Sequence, residues 1–391
     1  MVAQTDTTPA AGQSILGAVD DLAPVIAARA DEIEVARRVP ADLVAELTAA
    51  GCFGMLRPPS HGGSGVELAT SMRVYEELSR ADASVGWTVA IGAGCWLDVV
   101  GLPRSTFDAV FADDPDVKVG GAIAPAGVAV PAEGGYRVTG RWGFVSGCQH
   151  CDWIYGNCIE EGAMGNGTMP PLRVALFRAG EVEIEDTWSV SGLCGTGSHH
   201  VVADDVFVPA ERTFALLSAE PCVDGPLMRI PLPSPYVLQM ASGALGIAQG
   251  ALDDIVALAT DKVPLFAGAT LAANPLFQNQ LGEADARLRA ARALLYAEAA
   301  DAWATALARD PFTPEHRARI RASGVWAADT AAAVVDAAYR AGGGSSLYRS
   351  SPLQRRFRDV HALTQHLLVK LDSLTTVGAV MTGQDVDTTF L

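Results

Sequence analysis

Three short stretches of the sequence carry side chains that could do chemistry on a bound ligand. They are residues 142–153 (WGFVSGCQHCDW), 188–198 (WSVSGLCGTGS) and 358–366 (RDVHALTQH). The first two place hydroxyl groups in glycine-rich turns, where hydroxyls and free backbone N–H groups can approach a flat ring or a phosphate closely. The third ends in His366, whose imidazole can take up a proton near neutral pH. Together they predict a site that binds a flat, polar ligand.

Seven cysteines raise the question of a metal or redox site, because Cys148 and Cys151 form a CxxC pair around His150. A structural zinc site needs four ligands, and no second CxxC or suitably spaced Cys/His pair completes the set. An odd number of cysteines in a chain that is not secreted argues against a disulfide framework. We therefore expect buried thiols and no metal.

The elements that must position these stretches change along the chain from helical to β and back to helical. Helical periodicity covers residues 13–115, and short strands separated by turns are predicted over 117–209, as in an antiparallel barrel or sandwich. From residue 234 onward, three long helical patterns and a shorter one over 353–374 predict a four-helix bundle. The predicted fold is α+β, with an N-terminal helical domain, a central β domain and a C-terminal helical bundle at residues 1–115, 116–215 and 216–391.

Composition and charge narrow the classes of partner. The chain has 391 residues, with 28 basic and 45 acidic side chains and a formal net charge of −17, a field that repels nucleic acids and anionic membranes. No apolar run is long enough to span a bilayer, and the start MVAQTDTTPAAGQS lacks the pattern of a signal peptide, so we expect a cytoplasmic protein. Hydrophobic residues reach 49%, which suggests that apolar surface is buried between subunits.

In their order and spacing, the three stretches resemble the oxygenase components of two-component flavin-dependent monooxygenases built on the acyl-CoA dehydrogenase fold. Within that superfamily the likeness is to the oxygenases of aromatic hydroxylases, of which seco-steroid phenol hydroxylase and p-hydroxyphenylacetate hydroxylase are examples. The likeness extends over nearly the whole chain, through segments similar to the N-terminal helical domain, the β domain and the last bundle helix of that superfamily: residues 57–63, 76–87, 186–198, 205–209 and 353–359.

The resemblance implies a role for individual side chains. Ser146 and His366 are the implied catalytic residues, with Ser146 beside the N5–C4=O edge of the flavin and His366 as a base toward a phenol or an indole N–H. The implied substrate pocket includes Trp87, Ile91 and Cys95 together with His366. The implied flavin contacts are Phe144, Val145, Ser146, Trp188, Thr196, Gly197, Ser198, Gly343, Gly344 and Arg358.

Structural roles stay open for the same residues. Ser146 could be an ordinary turn serine, Trp188 a core tryptophan and His366 a surface residue of a helix. His361 lies five residues before His366, about 140° away around a helix, so the two would not face one pocket. Two interpretations are equally open for Arg349, Arg355 and Arg356. They could be charge partners of the flavin phosphates, or they could be solvated surface side chains.

The function that the resemblance implies is oxygenation by reduced FAD or FMN and O2, through a flavin C4a-hydroperoxide. The implied substrate is an electron-rich aromatic molecule such as a phenol, an indole or a polyketide ring, and an N- or S-oxygenase of the same fold is an alternative. No strand followed by G-x-G-x-x-G offers a nicotinamide site, so a separate NAD(P)H:flavin reductase would supply the reduced flavin. The fold also implies a homotetramer, formed as a dimer of dimers through the C-terminal helices.

Two departures from the family pattern bear on the substrate. Cys95 stands where related phenol hydroxylases have a histidine, and a thiol is a poor hydrogen-bond donor to a phenolate. Leu367 stands where acyl-CoA dehydrogenases have a catalytic glutamate, and the first bundle helix offers Asp253 and Asp254 but no glutamate at the other family position. An acyl-CoA dehydrogenase is therefore a weaker alternative, and a non-enzymatic helical assembly protein is the weakest.

Overall fold

A helical layer begins the fold. The computed structural model describes residues 8–111, 114–162, 171–216, 218–387 and 391. Residues 1–7 belong to the N-terminal stretch that lacks the pattern of a signal peptide, and they lie outside the described residues. The helices of this layer are α1 Thr8–Ala28, α2 Ala30–Ala36, α3 Ala41–Ala49, α4 Leu68–Ala81, α5 Ala83–Gly94 and α6 Arg104–Phe111.

The boundary between α4 and α5 is set by one capping residue. Asp82 ends α4, and its Oδ1 accepts hydrogen bonds from the N–H groups of Ser84 (2.9 Å) and Val85 (3.1 Å) at the start of α5. A 3-10 turn over Cys95–Val99 follows α5 directly. Because α5 is apolar nearly all round, it is enclosed between the sheet and the C-terminal helices, and it forms one wall of the candidate site.

The central layer of the described residues is one seven-stranded sheet, with strand order β5-β6-β2-β1-β3-β4-β7 when strands are numbered along the chain. The strands β1 and β3 run parallel and their other neighbours run antiparallel, so the prediction of a purely antiparallel β domain is wrong in this detail. The parallel pair arises because the turn after β2 crosses to the far side of β1. The strands are β1 Val119–Ala132, β2 Gly135–Val145, β3 Trp153–Glu160, β4 Leu172–Arg178, β5 Glu183–Glu185, β6 His199–Pro209 and β7 Thr213–Ala215.

The C-terminal layer is helical, and its first long helix is the centre of the molecule. That helix, α8, is buried along most of its length and packs against helices of both helical layers. No helix of the described residues has the length and apolarity that a membrane span requires. The helices of this layer are α7 Pro226–Arg229, α8 Ser234–Asp261, α9 Pro275–Ala308, α10 Pro314–Gly342, α11 Pro352–Leu363 and α12 Leu374–Met381.

The helix predicted over 353–374 is shorter than its apolar pattern suggested. The observed α11 ends at Leu363, and turns follow, so the placement of His366 on the last bundle helix is wrong. Tertiary contacts hold these turns: Arg321 Nη1 donates to the Leu368 carbonyl at 2.7 Å, and the Leu368 N–H donates to His366 Nδ1 at 3.3 Å. Because the buried Arg321 guanidinium takes a backbone carbonyl as its acceptor, the chain leaves the helix at this point.

Candidate active site

A chain of hydrogen bonds joins the hydroxyl groups of the first two sequence stretches. Trp87 Nε1–H donates to Ser146 Oγ at 3.0 Å, and Ser146 Oγ lies 2.7 Å from Ser198 Oγ. Ser198 Oγ is 2.7 Å from Thr196 Oγ1, which donates to the Leu193 carbonyl at 2.9 Å. We call Trp87, Ser146, Ser198 and Thr196 the hydroxyl chain.

The last acceptor fixes the direction of every proton in the hydroxyl chain. Since the Thr196 hydroxyl donates to a carbonyl, it accepts from Ser198, and Ser198 in turn accepts from Ser146. The Ser146 oxygen thus gives its proton to Ser198 and accepts one hydrogen bond, from Trp87. A hydroxyl oxygen has two lone pairs, so Ser146 can accept one further hydrogen bond from a ligand.

Two glycines in the left-handed conformation bring these hydroxyls together. Gly147, with φ +68°, follows Ser146 and donates its N–H to the Thr196 carbonyl at 2.8 Å, which ties the two turns to each other. Gly197, with φ +53°, separates Thr196 from Ser198 and turns both side chains toward one another. Non-glycine residues rarely adopt this conformation, which explains the glycine-rich sequence on physical grounds.

Side chains from two helices anchor the loop that carries Thr196. The Leu193 N–H donates to Asp359 Oδ1 of α11 at 2.7 Å, and the Gly195 N–H donates to Ser84 Oγ of α5 at 3.1 Å. Burial, with the nearby carboxylate of Asp82, raises the pKa of Asp359 to about 7. The aspartate of the third sequence stretch therefore positions the second stretch.

His366 lies against the first member of the hydroxyl chain. Its ring meets the indole of Trp87 edge-on, with centroids 5.5 Å apart and an interplanar angle of 65°. Burial, together with the Arg321 guanidinium, lowers the pKa of His366 to about 4, so the imidazole is neutral at pH 7. Because Nδ1 accepts the N–H of Leu368, the ring proton is on Nε2, which is a donor. The other candidate, His361, is hydrogen-bonded to Asp336 at 2.9 Å.

An aromatic pair stands at the other end of the first stretch. Phe144 is 74% exposed and has φ +62°, and its ring lies edge-on to that of Trp188 with centroids 6.0 Å apart. Trp188 is half-buried and donates its Nε1–H to the Leu193 carbonyl at 3.1 Å. Val145 is fully buried in the sheet core, so only its backbone is available to a ligand.

Two family models match this chain over its two helical layers. The model described as acyl-CoA dehydrogenase, N-terminal domain, matches residues 16–101, and that of the acyl-CoA dehydrogenase C-terminal domain matches residues 238–371. An indole-3-acetate monooxygenase from Pseudomonas putida is 33% identical over 91% of this chain and 90% of its own length. The oxygenase component of an FADH2-dependent resorcinol hydroxylase from a Rhizobium species is 33% identical over 94% of both chains.

A solved structure agrees over the whole fold. XiaF from a Streptomyces species, in complex with FADH2 and glycerol, superposes with a TM-score of 0.89 at 27% sequence identity and covers 97% of both chains. This chain is a flavin-dependent monooxygenase of the acyl-CoA dehydrogenase fold. The predicted α+β fold class and the predicted enzyme class are confirmed, and the weaker dehydrogenase alternative is not supported.

Two further implied flavin contacts of this monooxygenase lie in a turn of the C-terminal layer. Gly343 and Gly344 begin a 3-10 turn after α10, where Lys262 Nζ donates to the Gly342 carbonyl and to Ser345 Oγ. The turn is a second polar feature, built from the α8 and α10 ends.

Arg358 and its neighbours are engaged in ion pairs within the monooxygenase. Arg358 Nη2 lies 2.9 Å from Glu34 Oε2, and the guanidinium also donates to the Ser191 carbonyl. Arg355 binds the same glutamate at 3.0 Å, and Arg356 binds Asp254 of α8 at 3.1 Å. These arginines therefore fasten α11 to α2 and α8.

The positions that hold the base in acyl-CoA dehydrogenases offer no free carboxylate in this monooxygenase. Leu367 is 65% exposed. Asp253 is paired with Arg80 at 2.6 Å, and Asp254 with Arg356. Both carboxylates are therefore engaged by guanidinium groups, and burial raises the pKa of Asp254 although Arg356 opposes that shift.

The monooxygenase also contains a buried carboxylate that motif reasoning missed. Asp98 Oδ2 accepts hydrogen bonds from the hydroxyls of Tyr155 and Tyr236, each at 2.7 Å, and burial raises the pKa of Asp98 to about 6. The predicted pocket residue Cys95 is buried beside them, with Sγ 3.9 Å from the Tyr155 hydroxyl. We call Asp98, Tyr155 and Tyr236 the carboxylate cluster. A signal was present, since Asp98 is the only charged residue over 83–103.

The cysteines of the CxxC pair are thiols that bond to backbone carbonyls. Cys148 Sγ donates to the Gly197 carbonyl at 3.5 Å and Cys151 Sγ to that of Gly147 at 3.4 Å. Burial raises the pKa of both, that of Cys148 to about 11, which keeps them protonated at neutral pH. Both thiols pack the turns of the hydroxyl chain.

Proposed function

We propose that this monooxygenase uses reduced FAD or FMN and O2 to hydroxylate an electron-rich aromatic substrate. The observation that carries the proposal is the hydroxyl chain, which leaves Ser146 with one open acceptor position, while the neutral His366 lies against the Trp87 that donates to Ser146. The relatives named for indole-3-acetate and resorcinol, and the FADH2 complex of XiaF, support this choice of cofactor and substrate class.

The residues around the hydroxyl chain fit a reduced flavin ring. The N5–H of a reduced flavin is a donor, and Ser146 Oγ has the matching acceptor position. Thr88 Oγ1 is buried without a hydrogen-bond partner, and its side chain adjoins Gly147, where a Cβ would lie 3.3 Å from Thr88 Cγ2. Phe144 and Trp188 offer aromatic surface for a ring face. A bound reduced flavin supplies the electrons that activate O2.

We propose that the flavin is held by backbone and hydroxyl groups rather than by charge. The contacts closest to Ser146 would come from Val145 through its backbone and from the turn Thr196, Gly197 and Ser198. Gly343, Gly344 and Arg358 stay predictions as contacts of the rest of the cofactor, and the ion pair with Glu34 makes Arg358 the weakest of them.

His366 would act as a donor in an apolar pocket. Its Nε2–H can donate to an oxygen atom, and removal of a proton from the substrate at Nε2 first requires the ring proton to move to Nδ1, at the cost of the contact with Leu368. The α5 wall beside Trp87 is apolar, with Ile91 half-buried one turn further along the helix. Such a wall excludes the water that would compete with oxygen transfer.

A separate NAD(P)H:flavin reductase would supply the reduced flavin, as the two-component relatives suggest. We also propose a cytoplasmic homotetramer of three domains, 1–115, 116–215 and 216–391. Large apolar side chains exposed in and around the C-terminal helices support burial between subunits: Leu265, Phe266, Leu276, Leu347 and Met381 are 83%, 98%, 66%, 72% and 80% exposed.

The test is a single turnover with labelled oxygen. The protein is mixed anaerobically with photoreduced FAD, or FMN, and resorcinol or indole, and the mixture is then exposed to 18O2. We expect a hydroxylated product with one 18O atom per molecule. Ser146→Ala should reduce its yield, and the matched control Ser189→Ala, at an exposed serine beside Trp188, should not.

Oxidation of the flavin without labelled product for either aromatic probe would contradict the proposed oxygenation. Retention of FAD through purification in that case would favour a dehydrogenase. The absence of any flavin affinity would overturn the enzymatic interpretation as a whole.

A further inference from the structure

The carboxylate cluster joins a half-buried anion to two buried tyrosines, without a cation. Both tyrosine hydroxyls point to the same atom, Asp98 Oδ2, and the Tyr236 hydroxyl also lies 3.0 Å from the Gly94 carbonyl. Among the residues that the structure describes, no lysine or arginine forms an ion pair with Asp98. Unpaired carboxylates are rare in protein interiors because of their desolvation cost, and those that persist cluster at functional sites.

The second oxygen of Asp98 is open. Oδ1 has no hydrogen-bond partner among the described residues, and Asp98 keeps part of its surface accessible although Leu97 and Val99 beside it are closed off. Trp87 and Ile91 are also half-buried, one helical turn apart, and Asp98 follows about two turns later. By helical spacing, these three partly accessible residues fall on the same side of α5 and of the turn that follows it.

A second unsatisfied polar group lies next to the cluster. Gln239 is one turn after Tyr236 on α8, is 1% exposed, and has no hydrogen-bond partner for either its amide nitrogen or its amide oxygen within the described part of the chain. A buried amide without partners costs free energy, and such groups are rare in native proteins. An amide that can both donate and accept would be satisfied by a hydroxyl or an amino group of a ligand.

We propose that Asp98 anchors the substrate by accepting a hydrogen bond from a hydroxyl, ring N–H or ammonium group, and that it selects against substrates with a carboxylate. The inference rests on the proposed function for the identity of the pocket as the substrate pocket. Tyr155 and Tyr236 orient the carboxylate by occupying Oδ2, which leaves Oδ1 toward the pocket. A ligand carboxylate would meet this anion in a region of low dielectric, where like charges repel strongly.

The prediction separates this chain from a relative that it resembles. An indole-3-acetate monooxygenase is 33% identical to it, and indole-3-acetate carries the group that Asp98 would repel. Tryptamine has the same ring with an ammonium group in place of the carboxylate, and tryptophol has a neutral hydroxyl. The three molecules form a matched series in which the charge of the side chain is the principal variable.

The test is equilibrium binding of these three probes to the protein without flavin, measured by isothermal titration calorimetry at pH 7.5. We expect tryptamine to bind at least about ten-fold more tightly than indole-3-acetate, with tryptophol between them. Asp98→Asn keeps the shape and the acceptor for both tyrosines, and it should reduce that ratio to about two-fold or less. Tyr236→Phe keeps the carboxylate and should retain the ratio.

Equal affinity for tryptamine and indole-3-acetate in the wild type would overturn the proposal, as would an unchanged ratio in Asp98→Asn. Binding of none of the three probes would also overturn it, since the cluster would then not face a ligand pocket. Circular dichroism verifies that the variants are folded. Because no turnover is involved, a failure of the labelled-oxygen experiment with a preserved binding ratio would count against the proposed function alone.

Discussion

The hydroxyl chain includes Trp87 of α5, the carboxylate cluster includes Asp98 of the turn directly after α5, and the two polar networks are built in opposite ways. In the hydroxyl chain every proton has an acceptor, the last of which is the Leu193 carbonyl, and no member carries a charge. In the carboxylate cluster two donors converge on one oxygen and leave the other oxygen of an anion open. A nearly satisfied neutral network is suited to holding a cofactor in one orientation, whereas an open anion is suited to choosing a ligand.

Loss of His366, which lies against the hydroxyl chain, should have the largest effect of any single substitution in or beside the two networks. His366→Ala removes the Nε2–H donor, and we expect the rate of product formation to fall about 100-fold, the lower end of what a positioned proton donor contributes. Flavin affinity should stay the same, because the contacts of Ser146, Thr196 and Ser198 remain. The measurements are single-turnover product yield and a FAD titration.

The control for that prediction is a second histidine of the same segment. His361→Ala removes the partner of Asp336, away from the hydroxyl chain, and should leave the product yield unchanged. Unchanged turnover in His366→Ala, or a loss of flavin binding in it, would contradict the role given to His366.

The pH dependence of stability should sharpen the comparison, because His366 beside the hydroxyl chain and Asp98 in the carboxylate cluster respond to acid with opposite signs. His366 has a folded pKa of about 4 against an ordinary value near 6.5, so the unfolded state binds its proton first and acid destabilises the fold. Asp98 has a raised folded pKa of about 6, so acid relieves its buried charge and stabilises the fold over the same range. From pH 7 to pH 5, the histidine contribution alone should lower the free energy of unfolding by about 2 kcal/mol.

Urea denaturation of the wild type and of His366→Gln at pH 7 and pH 5 isolates the contribution of this histidine. The difference between the two proteins should shift by about 2 kcal/mol in favour of the variant on acidification, since the aspartates are common to both. A shift of the opposite sign, or none, would mean that His366 titrates near its ordinary pKa and is not held neutral by burial.

The sequence predicted the hydroxyl chain better than the carboxylate cluster, because their members are separated by different distances along the chain. Ser146, Thr196 and Ser198 lie beside Gly147 and Gly197, whose left-handed conformation favours glycine, and the resemblance of these two short segments to the family was enough to single the hydroxyls out. The carboxylate cluster joins Asp98 to Tyr155 and Tyr236, which are 57 and 138 residues away. No short sequence pattern predicts that these three side chains are in contact, although Asp98 stands out as the only charged residue over 83–103.

The predicted elements failed where tertiary contacts override local pattern. The apolar repeat through Leu363 and Leu368 favours a longer helix, but the carbonyl of Leu368 is taken by Arg321 from a different helix. The parallel pairing of β1 with β3 depends on the path of the connection after β2, and strand propensities do not predict that path. The starts of α9 and α10 are set locally instead, because the side chains of Asn274 and Thr313 cap them directly before a proline at the first helical position.

A smaller effect is expected within the hydroxyl chain itself. Ser198→Ala removes the donor to Thr196 and the acceptor of Ser146, and we expect a loss of about 1–2 kcal/mol in the free energy of unfolding. The Ser146 proton then becomes free to turn toward a ligand, so the variant should also bind oxidised flavin, whose N5 is an acceptor, at least as tightly as reduced flavin. Ser189→Ala is the matched control for stability. A Ser198→Ala protein with unchanged stability and unchanged flavin preference would show that the protons of the hydroxyl chain do not run from Ser146 through Ser198 to Thr196.

The smallest expected effect concerns Arg358, which the sequence predicted as a flavin contact and the structure pairs with Glu34. If the pair is structural, Arg358→Gln and Glu34→Gln should each lower the free energy of unfolding by about 1 kcal/mol or less, because a partly exposed ion pair contributes little. Neither should then change the affinity for FAD measured by titration.

If Arg358 balances the charge of the cofactor phosphates instead, the two variants diverge. Arg358→Gln would weaken FAD binding, and Glu34→Gln would strengthen it by releasing the guanidinium, so the sign of the Glu34 effect decides between the roles.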